Sequence, residues 1–160
     1  MTEFIERFEA FTTAVTKAYK CIQKIKLVET ERMGLKANHV MYMHYLGKNP
    51  EGLTAVELGK LCIEDKAAVS RTIVDLTAKG FLQPVEVDSS RKYRTKFMLT
   101  KEGMERNKQL NEAIGLAVKK ASNNLSEVER ETFYKVFFYI TDNLEMICDT
   151  FTAEIKILIR

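Results

Sequence analysis

The stretch Thr54-Ala55-Val56-Glu57-Leu58-Gly59-Lys60-Leu61-Cys62-Ile63-Glu64-Asp65-Lys66-Ala67-Ala68-Val69-Ser70-Arg71 decides the fold. Thr54 with Glu57 three residues on is a capping box: the threonine oxygen accepts from the Glu57 N–H, and the glutamate reaches back to the Thr54 N–H. A helix is predicted to start there. Its apolar positions Val56, Leu58 and Leu61 last two turns before Ile63-Glu64-Asp65 interrupts, and Asp65 suits the N-cap of a second helix. That helix is predicted to bury Val69, Ile73 and Leu76 and to stop at Gly80, a C′ residue after Lys79. A short helix, a tight turn and a longer helix form the order of a helix-turn-helix.

Beyond Gly80, the β-favouring stretches 81–87 and 94–99 flank Asp88-Ser89-Ser90-Arg91, whose residues favour turns, and predict a two-stranded hairpin. Thr100 can cap a following helix with Met104, Leu110, Ile114, Ala117 and Ala121 on one side, weakened locally by Gly115. A second capping box, Ser126 with Glu129, opens a last helix. Its stripe is Phe133, Val136, Phe137, Ile140, Leu144, Ile147, Phe151 and Ile155. Toward the N-terminus, Phe4, Phe8, Phe11, Val15, Ala18, Ile22 and Ile25 recur at spacings of three and four along one long helix. Val40, Met43, Tyr45 and Leu46 predict a shorter one ended by Gly47 and Asn49-Pro50. The fold class is mainly α (α+β): a winged helix-turn-helix between long N- and C-terminal helices.

With Val69, Ile73 and Leu76 buried, Ala67 and Arg71 point away from the core and Ser70 lies to one side; Lys66, in the first turn, can swing out to solvent. A recognition helix presents this N-terminal end to base edges in the major groove. Lys66 suits a phosphate or guanine, Ser70 can donate or accept, and Ala67 permits close approach. Arg71, which can meet guanine O6 and N7 together, is the first choice for base readout. On a helix standing alone, the same cations would more readily be read as a solvated face. The hairpin concentrates Arg91, Lys92, Arg94 and Lys96 in six residues without an acidic neighbour. Such a tip can follow a phosphate backbone or enter a narrow minor groove, although edge strands also carry cations to prevent pairing. Asp88 is assigned to organising the turn.

Leu58-Gly59-Lys60-Leu61, Asp65-Lys66-Ala67-Ala68-Val69-Ser70-Arg71, Leu76-Thr77-Ala78-Lys79-Gly80-Phe81 and Leu99-Thr100-Lys101-Glu102-Gly103 together resemble the MarR family of bacterial transcriptional regulators. The resemblance covers most of the chain and is most specific in its centre. It implies a single MarR-like domain over 1–160, a DNA-binding lobe over 36–100, and dimerisation helices over 1–30 and 101–160. The implied protein is a triangular homodimer acting on a pseudo-palindromic operator in double-stranded DNA, more often a repressor than an activator. A small-molecule or oxidant effector would release it. Family wings commonly carry a second aspartate followed by arginines, where this chain has Ser90-Arg91-Lys92-Tyr93-Arg94. Arg91 and Lys92 therefore rank together as minor-groove candidates, with Arg94 behind and Lys96 turned the other way.

Other functions find little support. The chain has 160 residues, 46% of them hydrophobic and 29% charged, a globular composition with room for one substantial core. The formal charge of +3, from 25 basic and 22 acidic side chains, makes attraction to a polyanion a matter of arrangement. The acidic N-terminus does not resemble a signal peptide, and no stretch approaches a membrane span, so a cytoplasmic protein is expected. Three scattered cysteines make neither a disulfide framework nor a CxxC metal site. Cys62 and Cys148 read as core. Cys21, two residues after Tyr19, reads as a packed thiol with a redox switch as the alternative, because the peroxide-sensing branch of the family uses an N-terminal cysteine near tyrosines. His39 and His44, about 140° apart on a helix, do not make the i, i+4 zinc pair, so no metal or other cofactor is expected. A metal-sensing regulator using Glu29 or Glu31 and a winged-helix protein-interaction module are the alternatives. No phosphate loop, GxSxG or HExxH motif is present, and no enzyme is expected.

Overall fold

A computed structural model describes residues 2–85 and 95–158, with side chains to residue 152. Its elements run α1 (Thr2–Glu31), α2 (His39–Lys48), β1 (Leu53–Thr54), α3 (Ala55–Cys62), α4 (Lys66–Ala78), β2 (Leu82–Pro84), β3 (Lys96–Leu99), α5 (Lys101–Ala121) and α6 (Glu127–Leu158). The chain divides into two compact units, 1–117 and 118–160.

In the first unit each predicted cap is made. The Glu57 N–H donates to Thr54 Oγ1 at 3.3 Å and the Thr54 N–H to Glu57 Oε2 at 2.7 Å, completing the capping box of α3. Asp65 Oδ1 accepts the Ala68 N–H at 2.8 Å at the start of α4. Gly80, just past the end of α4, takes φ +77°, a conformation that costs a residue without Cβ nothing. Thr100 then serves two helices at once. Its hydroxyl donates to Gly80 O at 2.7 Å and accepts the Gly103 N–H at 3.0 Å, tying the end of α4 to the start of α5. A Cβ on Gly103 would stand 2.2 Å from the Phe81 carbonyl oxygen, so the first turn of α5 can lie against that backbone only with glycine there.

The sheet departs from the expected two-stranded hairpin. β2 pairs antiparallel with β3, Leu82 opposite Leu99, but β3 also pairs with β1, Leu53 opposite Phe97, giving three strands in the order β1-β3-β2. A two-residue strand carries no period-2 pattern to read, and β1 exists because β3 supplies its partner. The core fills the space among α2, α3, α4, the sheet and α5. Val40, Tyr42, Met43, Leu46, Leu58, Val69, Ile73, Leu76, Phe81, Leu82, Leu99 and Leu110 are all buried there.

Several apolar assignments change. In α3 only Leu58 is buried, while Val56 and Leu61 are exposed. In α5 Leu110 is buried and Ile114 packs against the core as predicted, but Met104 is exposed and Gly103 and Asn107 are the buried positions of the first turns. Tyr42, not Tyr45, is the fully buried tyrosine of α2, and Tyr45 packs half-buried beside the core. Cys62 is half-buried against the core as expected, but Cys148 is exposed. The helical period locates a stripe to within about one residue; which neighbour packs is decided by the facing element.

The long helices form as predicted, with most residues of their stripes exposed. On α1, Phe4, Phe8, Val15, Ile22 and Ile25 are exposed. In the second unit, α6 opens on its Ser126–Glu129 capping box, with the Ser126 N–H donating to Glu129 Oε2 at 2.7 Å. Phe133 stacks on Phe137, ring centroids 5.5 Å apart, and Phe133, Val136, Ile140, Leu144, Ile147 and Phe151 are exposed.

Candidate nucleic-acid interface

The helix-turn-helix is α3 and α4 joined by Ile63-Glu64-Asp65. Ile63 makes the turn in the left-handed region, φ +56°, and is 93% exposed. For a β-branched residue that backbone costs about 1–2 kcal/mol, and the side chain recovers nothing by burial. Glu64 is anchored by Tyr42, whose fully buried hydroxyl donates to Glu64 Oε2 at 2.6 Å. Burial first, and the glutamate beside it second, push the Tyr42 pKa up. Asp65 is held ionised, its pKa lowered first by the hydrogen bond from the Ala68 N–H, with Arg71 adding to the effect.

All four residues assigned to readout on α4, Lys66, Ala67, Ser70 and Arg71, are exposed; Ala67 and Arg71 lie opposite the buried Val69, Thr72, Ile73 and Leu76, Ser70 to one side, and Lys66 in the first turn. The flank of the helix is braced by the segment that leads into α2. Asn38 Nδ2 donates to the buried Thr72 Oγ1 at 2.9 Å. Lys36 Nζ lies 2.7 Å from Asp75 Oδ2, and His39 Nε2 lies 3.2 Å from the same oxygen. The Lys36 N–H donates to His39 Nδ1 at 3.2 Å, so the neutral ring carries its proton on Nε2, facing Asp75. His39 is 1% exposed, and burial lowers its pKa to about 4; Asp75 opposes that shift, while Lys36 and Lys79 add to it. The Asp75 carboxyl is in turn lowered, chiefly by Lys36. A neutral imidazole, an ion pair and an amide thus fix α4 along one side and leave the opposite side open. Between them, Lys36, Asn38, Glu64, Arg71 and Asp75 line a polar cleft beside the helix.

None of the brace residues was singled out from sequence for this role. His39, which makes no i, i+4 zinc pair with His44, is buried and structural. His44 Nδ1 lies 3.1 Å from Asn111 Oδ1 of α5. Among the described residues no group of three or more His, Cys, Asp or Glu side chains could hold a metal ion. No described helix is long and apolar enough to cross a membrane.

Asp88, Arg91, Lys92 and Arg94 lie outside the described residues. The strands on either side of them pair as a wing requires, continued by the Val85 N–H donating to Lys96 O at 2.8 Å. Lys96 is half-buried in β3 and interacts electrostatically with Glu57 of α3. Cys21 is exposed on α1, where a packed thiol was expected, whereas burial pushes the Cys62 thiol up to about 12.

A braced recognition-type helix beside a three-stranded antiparallel sheet defines a winged helix-turn-helix protein. More particularly, the fold is that of the MarR family transcription regulators. One such regulator superposes with a TM-score of 0.80 over 93% of this chain and 97% of its own, at 18% identity. The transcriptional regulator SlyA matches at 0.76 over 84% and 93%, at 20% identity. A MarR family regulator from Listeria monocytogenes, complexed with a 26mer DNA, matches at 0.76 over 83% and 87%, at 15% identity. No family model and no curated protein matches the sequence.

Proposed function

We propose that the chain is a cytoplasmic, sequence-specific DNA-binding transcriptional regulator, not an enzyme, acting as a homodimer on a pseudo-palindromic operator. The observation that carries this reading is the face of α4: Lys66, Ala67, Ser70 and Arg71 are exposed together on a helix whose other sides are buried or braced. The DNA complex of the Listeria relative supports it by analogy of fold. Arg71 reads guanine, Ser70 and Ala67 set the approach, and Lys66 meets phosphate. Arg91 and Lys92, with Arg94 behind them, grip the flanking backbone or minor groove.

A second copy of the chain is the natural cover for the stripes on α1 and α6. Phe4 and Phe8 on α1, and Phe133 and Phe151 on α6, are each at least 55% exposed, and monomeric proteins rarely leave large apolar side chains clustered along a helix open in this way. Two lobes would then enter major grooves with half-sites about 10 bp apart. Occupancy of the operator represses transcription, and a small molecule or oxidant that favours another spacing of the lobes releases it.

Selection of bound duplexes from a random pool tests the reading. A palindromic site should emerge, with affinity falling steeply in salt. Arg71→Ala should relax one position per half-site at a cost of about 1–3 kcal/mol. If no sequence is enriched and binding ignores salt, DNA is not the partner.

A further inference from the structure

Val74 is 65% exposed in the middle of α4, a helix that buries Val69, Thr72, Ile73 and Leu76. Exposure alone assigns nothing, because apolar atoms cover much of any protein surface. Its register does. At about 100° per residue, Val74 falls between the directions of Ser70 and Arg71 and almost opposite the centre of the buried stripe. Ala67, Ser70, Arg71 and Val74 occupy positions i, i+3, i+4 and i+7, the spacing through which a homeodomain recognition helix reads base edges along the major groove. At 1.5 Å per residue the set extends about 10.5 Å, or roughly three base steps at 3.4 Å. The next residue, Asp75, is turned away toward Lys36 and His39, so no carboxylate stands on this face beside Val74. Val56 and Ile63 are also exposed but lie on α3 and the turn, outside this register.

We infer that Val74 is a specificity-determining residue that packs against the 5-methyl group of a thymine, one per half-site, next to the base read by Arg71. The inference rests on the DNA-binding reading above and adds a residue and a base to it. The chemistry is that of apolar contact: among the base edges of the major groove only thymine presents a methyl group. A branched side chain with two γ-methyls, held on a rigid helix, can cover that methyl at little cost in rotamer freedom.

The test uses the full-length protein and the duplex selected by it. Each thymine of one half-site is replaced in turn by deoxyuridine, which removes only the methyl. For the unaltered protein, one replacement should weaken binding about fourfold, the equivalent of about 0.8 kcal/mol for one buried methyl. For Val74→Ala, which withdraws both γ-methyls, the same replacement should have a clearly smaller effect, while sensitivity at the Arg71 position is kept. Alanine is the better helix former, so a loss of binding in this variant does not reflect a melted helix. If the variant remains as sensitive to deoxyuridine as the unaltered protein, or no replacement matters to either, the inference is overturned and the regulator reading stands. If the unaltered protein selects no sequence at all, both fall together.

Discussion

Lowering the pH from 7 to 5 should destabilise this protein by about 2 kcal/mol through one buried ring. His39 has a folded pKa of about 4 against an ordinary 6.5, because burial penalises the imidazolium more than Asp75 at 3.2 Å favours it. Over that interval the unfolded chain takes up a proton that the folded chain refuses, so folding is favoured above pH 6.5 and loses stability as the pH falls toward 4. At pH 5 the unfolded imidazole is almost fully protonated and the folded one only about a tenth. The full shift corresponds to about 3 kcal/mol, of which about 2 kcal/mol is lost between pH 7 and pH 5. The carboxylates whose pKa values are lowered, Glu57, Asp65, Asp75 and Glu129, have ordinary values of 4.5 or 3.8, so their contributions disappear mainly below this window. Urea denaturation at several pH values and one fixed protein concentration measures the effect, the fixed concentration removing any linkage to self-association. His39→Gln retains a donor and an acceptor but cannot titrate. That variant should start less stable and lose little more between pH 7 and pH 5. If it loses as much as the unaltered chain over the same interval, the assignment of the pH dependence to His39 is wrong.

Three substitutions test other parts of the structure. Ile63→Gly relieves a left-handed β-branched residue that is almost wholly exposed; set against the added freedom of the unfolded chain, it should stabilise by about 0.5–1 kcal/mol in urea denaturation. Gly103→Ala places a methyl 2.2 Å from the Phe81 carbonyl oxygen. It should destabilise by about 1–2 kcal/mol despite the better helix propensity, and a neutral result would show that α5 can move off that backbone. Phe133→Asp puts a charge on the exposed stripe of α6. On the proposed homodimer reading, it should leave the far-ultraviolet dichroism of the chain intact while shifting sedimentation from dimer to monomer, and an unchanged sedimentation coefficient would remove this stripe from the proposed interface.

What the sequence determined by itself are the features whose two halves lie close together along the chain. The capping boxes at Thr54 and Ser126, the Asp65 and Thr100 caps, the Gly80 stop and the buried stripe of α4 each join residues a few positions apart. Local hydrogen bonding and the helical period are enough to specify them. The exposure of Ala67, Ser70 and Arg71 follows from that stripe for the same reason, and that of Lys66 from its place in the first turn. Tertiary structure decided the rest. Asn38 meets Thr72 across 34 residues and Tyr42 meets Glu64 across 22, and neither pair belongs to any periodic pattern. Strand β1 is two residues long and exists only because β3 lies beside it. Val56 and Met104 are apolar yet exposed, while Gly103 and Asn107 are buried, because the facing elements and not apolarity alone select what packs. Local chemistry placed the ends and faces of the helices, whereas long-range packing selected which side chains brace α4 and so gave its exposed face a rigid support.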